Sequence, residues 1–302
     1  MAGYTDSAFR KIVKSFSPEV TTFSEMISTE GLSRNDEKSL KLGNFSAEER
    51  PFVIQIFGSN PDSMAKSVRI LENKFNPDGI DLNFACPVKK ILKSSSGGFL
   101  LKEKDLALRL ASTAVKKARI PISVKTRLGF ATDNEIIDFS KKLENVGISS
   151  LAIHGRTVKE GFLNQARWKN IYEVKKNLKI PVFGNGDIKT LKEVKKIKNL
   201  DGVFIGRGSL GKPWFLAELE AEIENKKFSP LSFAKKIEII KKHTLLCLKE
   251  KGEKVGLTQM RSHFAFYFRG FPGASSFRQE LMRVERLSEF EKLVSALSKK
   301  QG

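Results

Sequence analysis

The chain has 302 residues with 40% hydrophobic and 29% charged side chains, and its 54 Lys and Arg outnumber 34 Asp and Glu for a net charge of +20. This composition excludes a disordered or fibrous chain, and the lack of both a signal-peptide layout and an apolar run of roughly 18 residues indicates a cytoplasmic protein without a membrane segment. The two cysteines, Cys86 and Cys247, lie far apart, so we expect a reducing compartment and no zinc or iron–sulfur site.

Short apolar runs alternate with amphipathic stretches through the first two thirds of the chain. The runs predict strands at 19–24, 52–56, 79–84, 121–125, 149–154, 181–184 and 202–206. The amphipathic stretches predict helices at 61–73, 103–118, 134–146, 167–177 and 190–199. Such alternation indicates a parallel sheet, and strand starts about 20 to 40 residues apart are typical of a (β/α)₈ barrel. An open doubly wound sheet accommodates seven strands, whereas a closed barrel of this type needs eight.

The pattern changes near residue 228, where KKFSPLS reads as a linker. Helices are predicted after it at 231–251, 255–269 and 275–298, with no strand. We therefore predict a barrel domain over 1–228 and a small all-α domain over 229–302. The second part carries 15 Lys and Arg against 7 Asp and Glu, which suits a polyanionic partner, with nucleic acid first. The alternative is that these lysines are ordinary solvent-exposed residues and bind no polyanion.

Polar residues follow nearly every predicted strand. Because the carboxyl ends of parallel strands meet at one edge of a barrel, where its active site is built, these residues are the candidates for chemistry. They are Gln55, Asn83, Cys86, Lys125, Arg127, His154, Arg156, Asn185, Gly186, Asp187, Gly206 and Arg207.

Two glycine-rich loops, GNGD at 184–187 and GRG at 206–208, follow the last two strands. Glycine lets backbone N–H groups approach a phosphate closely, and the loops after the last two strands of a barrel are its usual phosphate site. Arg207 could add a charge-assisted contact. The alternative is that these are ordinary turn and cap glycines.

Cys86 and two pairs of basic residues make up the rest of the candidate site. Cys86 could act as a nucleophile or proton donor, although a buried inert cysteine is the commoner fate. Lys125 with Arg127, and His154 with Arg156, are spaced so that each pair shares one face of a strand. They could stabilise an anion or bind a phosphate; surface charge is the alternative.

Several blocks of the sequence together resemble the signature of a known family. They are MAGYTDSAFR, DLNFACPVKK, KTRLG, IHGRT, GNGDI, GRGSLGKPW and, near the end, HFAFYFRGFPGASSFR. In order and spacing they are similar to the tRNA-dihydrouridine synthases, and most similar to the bacterial B-type branch. The resemblance implies an FMN-dependent TIM barrel followed by a helical tRNA-binding domain. It also implies an enzyme that reduces the C5–C6 bond of a uridine in the D-arm of tRNA, with NADPH or NADH as electron donor; separately from the resemblance, we expect a monomer.

The resemblance also implies roles for individual residues. Cys86 matches the proton donor to C5 of uracil. Residues that match the flavin site are Met1, Ala2, Gln55, Lys125, His154, Asn185, Gly186, Asp187, Gly206 and Arg207. Residues that match contacts to the uridine or its phosphates are Asn83, Arg127 and Arg156.

Two departures from the family pattern leave other functions open. Ala85 stands where the family usually has glycine, and the chain begins at the turn after the family's first strand, which accounts for the seven strands predicted. A barrel with an open seam there is expected to fold or bind flavin less well. One alternative is thus a tRNA-binding protein without catalysis. Another is an FMN barrel of the dihydroorotate dehydrogenase type, which would not need a basic helical tail.

Overall fold

The computed structural model describes residues 1–301, which form two compact units. One unit comprises Thr21–Gly206, and the other comprises Met1–Val20 with the chain from Arg207 onward. The first holds all the strands and the second is helical. The predicted boundary near residue 228, which separates a catalytic part from a tRNA-binding part, stays a prediction.

The sheet unit contains one parallel, eight-stranded sheet with helices between its strands. The strands are β1 (Thr22–Phe23), β2 (Ile27–Ser28), β3 (Phe52–Phe57), β4 (Gly79–Phe84), β5 (Ile122–Arg127), β6 (Ser150–His154), β7 (Val182–Asn185) and β8 (Gly202–Val203). The helices are α2 (Thr29–Ser33), α3 (Glu37–Lys41), α4 (Pro61–Phe75), α5 (Lys89–Lys93), α6 (Lys104–Lys117), α7 (Ile136–Val146), α8 (Trp168–Asn177) and α9 (Leu191–Val194). The strand order is β1-β3-β4-β5-β6-β7-β8, and the short β2 pairs with β3 as well.

The sheet is an incomplete barrel, which confirms the predicted fold class. Among the described residues no hydrogen-bonded pairing joins β1 to β8. The rings of Phe23 in β1 and Phe204 just after β8 nevertheless lie with their centroids 4.6 Å apart. The sheet has therefore curved far enough to bring its two edges together.

The two faces of the strands differ in character. Alternate residues such as Ile54, Leu82 and Val124 are fully buried and pack with the helices into one hydrophobic core. The opposite, lumen-facing positions hold Gln55 and Lys125, which are only half-buried. A parallel barrel usually fills its lumen with branched apolar side chains. Here the lumen is polar, so the inside of the sheet is available for chemistry.

The helical unit begins with α1 and continues after the sheet unit. Its helices are α1 (Ser7–Lys14), α10 (Phe215–Ile223), α11 (Phe233–Lys251), α12 (Glu253–Tyr267), α13 (Ala274–Leu281) and α14 (Leu287–Gln301). Ala8 of α1 is part of the same buried cluster as Met260 and Phe264 of α12. Cys247 is fully buried in that cluster, as its position inside a helix predicts.

Three details differ from the sequence-based expectations. The first predicted strand, 19–24, is observed only as the two residues of β1, and the short β2 that follows it was not predicted. The predicted helix at 190–199 ends at Val194, and Asn199 has a left-handed φ of 58°. The predicted helix at 275–298 is two helices, because the Glu289 carboxylate accepts the N–H groups of residues 285–286 and starts a new helix there.

A glutamate on each of two helices closes the turn that leads into a following strand. Glu72 of α4 accepts the backbone N–H groups of residues 119–120, ahead of β5, at 2.5 and 3.2 Å. Glu144 of α7 does the same for residues 179–180, ahead of β7, at 2.6 and 2.9 Å. Glu72 is buried whereas Glu144 is half-buried. Each carboxylate thus ties a helix to the residues just ahead of a strand and fixes how that strand enters the sheet.

We expect Glu72→Ala to lower the free energy of unfolding by about 2 kcal/mol, because two backbone N–H groups lose the buried carboxylate that accepts them. Urea unfolding followed by circular dichroism measures the loss. Glu144→Ala is the matched control, and its cost should be clearly smaller because water reaches its site. Equal costs for the two variants would contradict the role of burial.

Candidate functional site

Strand register brings the predicted site residues of the sheet unit together. Asn83 of β4 lies opposite Lys125 of β5, and Arg127 of β5 lies opposite His154 of β6. His154 in turn lies opposite Asn185 of β7. Because neighbouring strands are roughly 5 Å apart, this register places these side chains at one edge of the sheet.

A hydrogen-bonded chain of side chains connects the inside of the sheet to Cys86. Asp81 accepts from the Gln55 amide at 2.7 Å, and Gln55 Oε1 accepts from Asn83 Nδ2 at 2.8 Å. Asn83 Oδ1 accepts the backbone N–H groups of Ala85 and Cys86, both at 3.0 Å. The loop that carries the thiol is thus held by a side chain of the strand before it.

Lys125 is a cation at the centre of the site. Its Nζ donates to Asn185 Oδ1 at 3.2 Å and lies 5.3 Å from the centre of the Phe204 ring. Burial, with the nearby positive charge of Arg127, lowers the pKa of Lys125 to about 8. Lys125 therefore remains mostly protonated at pH 7.

The thiol of Cys86 is half-buried. Burial raises the pKa of Cys86 above its usual value, against the opposing effects of the Val88 N–H and of Arg127 and Lys125. The carbonyl of Cys86 accepts the N–H of Gly98 at 3.0 Å. At neutral pH Cys86 is thus a protonated thiol on a fixed loop, which suits a proton donor rather than a nucleophile.

Arg127 is buried and joins two loops. Its Nε donates to the carbonyl of Ala85 at 2.8 Å, and its Nη1 donates to the carbonyls of Thr157 and Gly161 at 2.9 and 2.7 Å. The side chain is 2% exposed. Sequence reasoning expected Arg127 to contact substrate; these donors instead bind the chain itself, and a substrate contact stays a prediction.

Arg156 is also buried; it follows β6 and contacts the glycine-rich loop after β7. Its Nη2 binds both carboxylate oxygens of Asp187 at 2.8 and 2.6 Å, and its Nη1 lies 3.0 Å from His154 Nε2. Although burial alone would raise it, these hydrogen bonds leave the pKa of Asp187 below its usual value. The ion pair between Arg156 and Asp187 fixes the glycine-rich loop. The predicted contact of Arg156 with uridine and that of Asp187 with flavin stay predictions.

Gly186 has no room for a side chain. Its φ is 128°, and an added Cβ would lie 2.7 Å from the Cβ of Ala166 and 2.9 Å from His154 Cδ2. Only glycine fits this conformation without strain. Its backbone therefore lies directly beside His154.

Three of the predicted cofactor residues belong to the helical unit. Met1 is half-buried, and its carbonyl accepts the N–H groups of residues 4–5. Ala2 is exposed. Arg207 is exposed and begins the short helix Arg207–Ser209, while Gly206 is the last residue of the sheet unit. Their predicted cofactor contacts remain predictions.

Sequence reasoning placed Asp81 among the residues near a strand exit but gave it no role, and it missed the neighbouring Ser123 and Phe204. Asp81 is 1% exposed and also accepts from Ser123 Oγ at 2.7 Å. Burial raises the pKa of Asp81 to about 6. A signal was available, because Asp81 precedes Asn83 by two positions in a strand and so shares its face.

Residues 1–301 contain no helix that is both long and apolar enough to cross a membrane. In the same residues no three or more His, Cys, Asp or Glu side chains are grouped to hold a metal ion.

A curved parallel sheet with a thiol, a cation and amides at the carboxyl ends of its strands defines an enzyme of the (β/α)-barrel class. The family model described as dihydrouridine synthase matches residues 1–301. This match covers nearly the whole chain, so the chain belongs to the dihydrouridine synthase family.

Individual relatives agree with that membership. The chain is 31% identical to the "Probable tRNA-dihydrouridine synthase" of Aquifex aeolicus, over 100% of this chain and 95% of that protein. It is 36% identical to the "tRNA-dihydrouridine synthase B" of Pasteurella multocida, over 92% and 85%. Among solved structures, a 2-naphthoyl-CoA reductase complex is similar in fold alone, with a TM-score of 0.52 and 10% identity over 74% of this chain and 48% of that one.

Because Arg127 satisfies three backbone carbonyls, Arg127→Met should lower the free energy of unfolding by about 3 kcal/mol. It should also speed tryptic cleavage after the exposed Lys159, which lies in the loop that Arg127 holds. Urea unfolding and limited proteolysis measure the two effects. Arg109→Met, on the exposed side of α6, should change the free energy by less than about 0.5 kcal/mol. Unchanged proteolysis in Arg127→Met would contradict the role assigned to Arg127.

Proposed function

We propose that this protein reduces uridine to 5,6-dihydrouridine in the D-arm of tRNA, with FMN as cofactor and NADPH or NADH as electron donor. The observation that carries the proposal is that a protonated thiol, Cys86, and a half-buried cation, Lys125, lie at the same edge of the sheet. Family membership and the substrate named for the relatives support it.

The residues at the strand ends suit a flavin mononucleotide. The close approach of the Gly186 backbone to His154 suits a loop that lies against a phosphate or a ribityl chain. Lys125 supplies positive charge where an electron-rich ring would gain electrons. Gln55, Asn185 and His154 add hydrogen-bonding groups around it. Bound and reduced, FMN supplies the hydride that adds to C6 of uracil.

Cys86 would complete the reduction by supplying a proton. Hydride addition at C6 moves the electron pair of the C5–C6 double bond onto C5 and O4. An acid near C5 must then give its proton there, and the thiol becomes a thiolate. The raised pKa of Cys86 keeps that proton on the sulfur until it is needed. Asn83, which holds the Cys86 loop, lies where it could also meet the base.

The helical unit would bind the tRNA. On α11, three lysines, Lys241, Lys242 and Lys249, line a shallow groove of about 430 Å³ together with Leu245, Leu246 and one acidic residue, Glu238. Several lysines on one helix face suit contacts to phosphates. A positive field also offsets part of the cost of unstacking the target base. We place the enzyme in the cytoplasm as a monomer, where a reducing environment preserves the free thiol.

Cys86→Ala should still bind FMN and tRNA, because the thiol is neither one of the polar groups proposed to hold FMN nor one of the lysines proposed to contact tRNA. Its rate of dihydrouridine formation should fall by at least about a hundredfold, the usual contribution of a general acid. Mass spectrometry of the reacted tRNA measures the product, which is two hydrogens heavier. Cys247→Ala, in the helical core, serves as the thiol control and should keep the parent rate. Undiminished product from Cys86→Ala would remove this residue from the mechanism.

A further inference from the structure

We propose that Asp81 is a positioning residue, which through Gln55 and Asn83 orients the loop that carries Cys86. The inference deepens the proposed function and rests on it for the role of Cys86. The hydrogen-bond geometry on which it stands does not depend on that role.

The direction of the hydrogen-bonded chain is set at its buried end. An ionised carboxylate only accepts, and Asp81 accepts from Ser123 Oγ at one oxygen and from Gln55 Nε2 at the other, both at 2.7 Å. Gln55 must therefore turn its NH₂ group toward Asp81. Its carbonyl oxygen then faces Asn83.

The same argument applies to the next hydrogen bonds, those that Asn83 forms with Gln55 and with the Cys86 loop. Because Gln55 presents an oxygen, Asn83 must present its NH₂ group to it, and the Asn83 oxygen is left facing the other way. That oxygen accepts the N–H groups of Ala85 and Cys86. Reversal of any one amide would place two donors or two acceptors against each other. Asp81 thus selects the single arrangement in which Asn83 can hold the Cys86 loop.

Burial makes the selection strong. Asp81 is 1% exposed and Asn83 is 7% exposed, so little water is available to replace a mispaired contact at either of these two residues, whereas Gln55 between them is half-buried. The groups that face Asp81 are Gln55 from β3, Ser123 from β5 and the charge of Lys125, also from β5. Only Lys125 among these is charged, and it favours the ionised carboxylate. Burial opposes it and raises the pKa of Asp81 to about 6.

The first test measures the reactivity of Cys86 itself, in the full chain with FMN added, without relying on turnover. Asp81→Asn keeps the size of the side chain but can turn either its oxygen or its NH₂ group toward Gln55, so it no longer fixes the orientation of the Gln55 amide. We expect alkylation of Cys86 by N-ethylmaleimide at pH 7 to become about fivefold to tenfold faster, the factor that corresponds to one net hydrogen bond lost from the loop. Peptide mass spectrometry follows the rate.

Ser123→Ala is the matched control. It removes the other hydrogen bond to Asp81 but leaves the link to Gln55 in place, so Cys86 should react within about twofold of the parent rate. Gln55→Met breaks the chain at the next link and should reproduce the Asp81→Asn effect if that variant does not fold. Equal effects of Ser123→Ala and Asp81→Asn, or no effect of Asp81→Asn and Gln55→Met, would overturn the proposal.

The second test uses pH. Below about pH 6 Asp81 gains a proton and can donate as well as accept, so it no longer fixes the Gln55 amide, and the single-turnover rate of uridine reduction should fall as the pH drops through that value. The Asp81→Asn variant should reduce uridine slowly at all pH values, with no break near pH 6. The loss should appear in kcat rather than in the KM for tRNA. An unchanged break near pH 6 in Asp81→Asn would also overturn the proposal. If Cys86 reactivity responds as stated but the parent enzyme makes no dihydrouridine, the proposed function fails while the positioning role of Asp81 stands.

Discussion

Polar side chains buried at the carboxyl ends of the strands impose the constraint on which the sheet unit depends. Each must find a hydrogen-bond partner within the protein, because an unpaired polar group away from water costs free energy. Asp81 is paired through Gln55 and Ser123, and Arg127 through backbone carbonyls. These pairings fix the loops at the open end of the sheet. The site is rigid because its buried polar groups form their hydrogen bonds within the protein.

Burial acts in opposite directions on the two groups that the proposed chemistry needs. It disfavours charge, so it raises the pKa of Cys86 and lowers that of Lys125. The thiol keeps its proton at neutral pH, and the lysine keeps most of its charge because its pKa stays near 8. If the site were more exposed to solvent, the pKa of Cys86 would be lower and the thiol would lose its proton more readily. If it were more deeply buried, the pKa of Lys125 would fall further and the lysine would lose its charge.

Much of the fold and many site residues could be predicted from the sequence, because strand periodicity and strand-end chemistry are local properties. The seven strand positions and the gathering of Asn83, Lys125 and His154 follow from the parallel topology. The partners of Arg127 could not be predicted, since they are backbone carbonyls on loops distant in sequence. The break between α13 and α14 was also missed, because it depends on one capping carboxylate, Glu289.

The most direct test of the account is an absorbance spectrum of the purified chain with FMN. The account predicts a yellow protein whose flavin bands bleach with NADPH or NADH and return on addition of unmodified tRNA, but not of tRNA that already carries dihydrouridine. Flavin that reduces and is then reoxidised equally by both tRNAs would contradict the assigned substrate. A chain that stays colourless with added FMN would contradict the proposed cofactor.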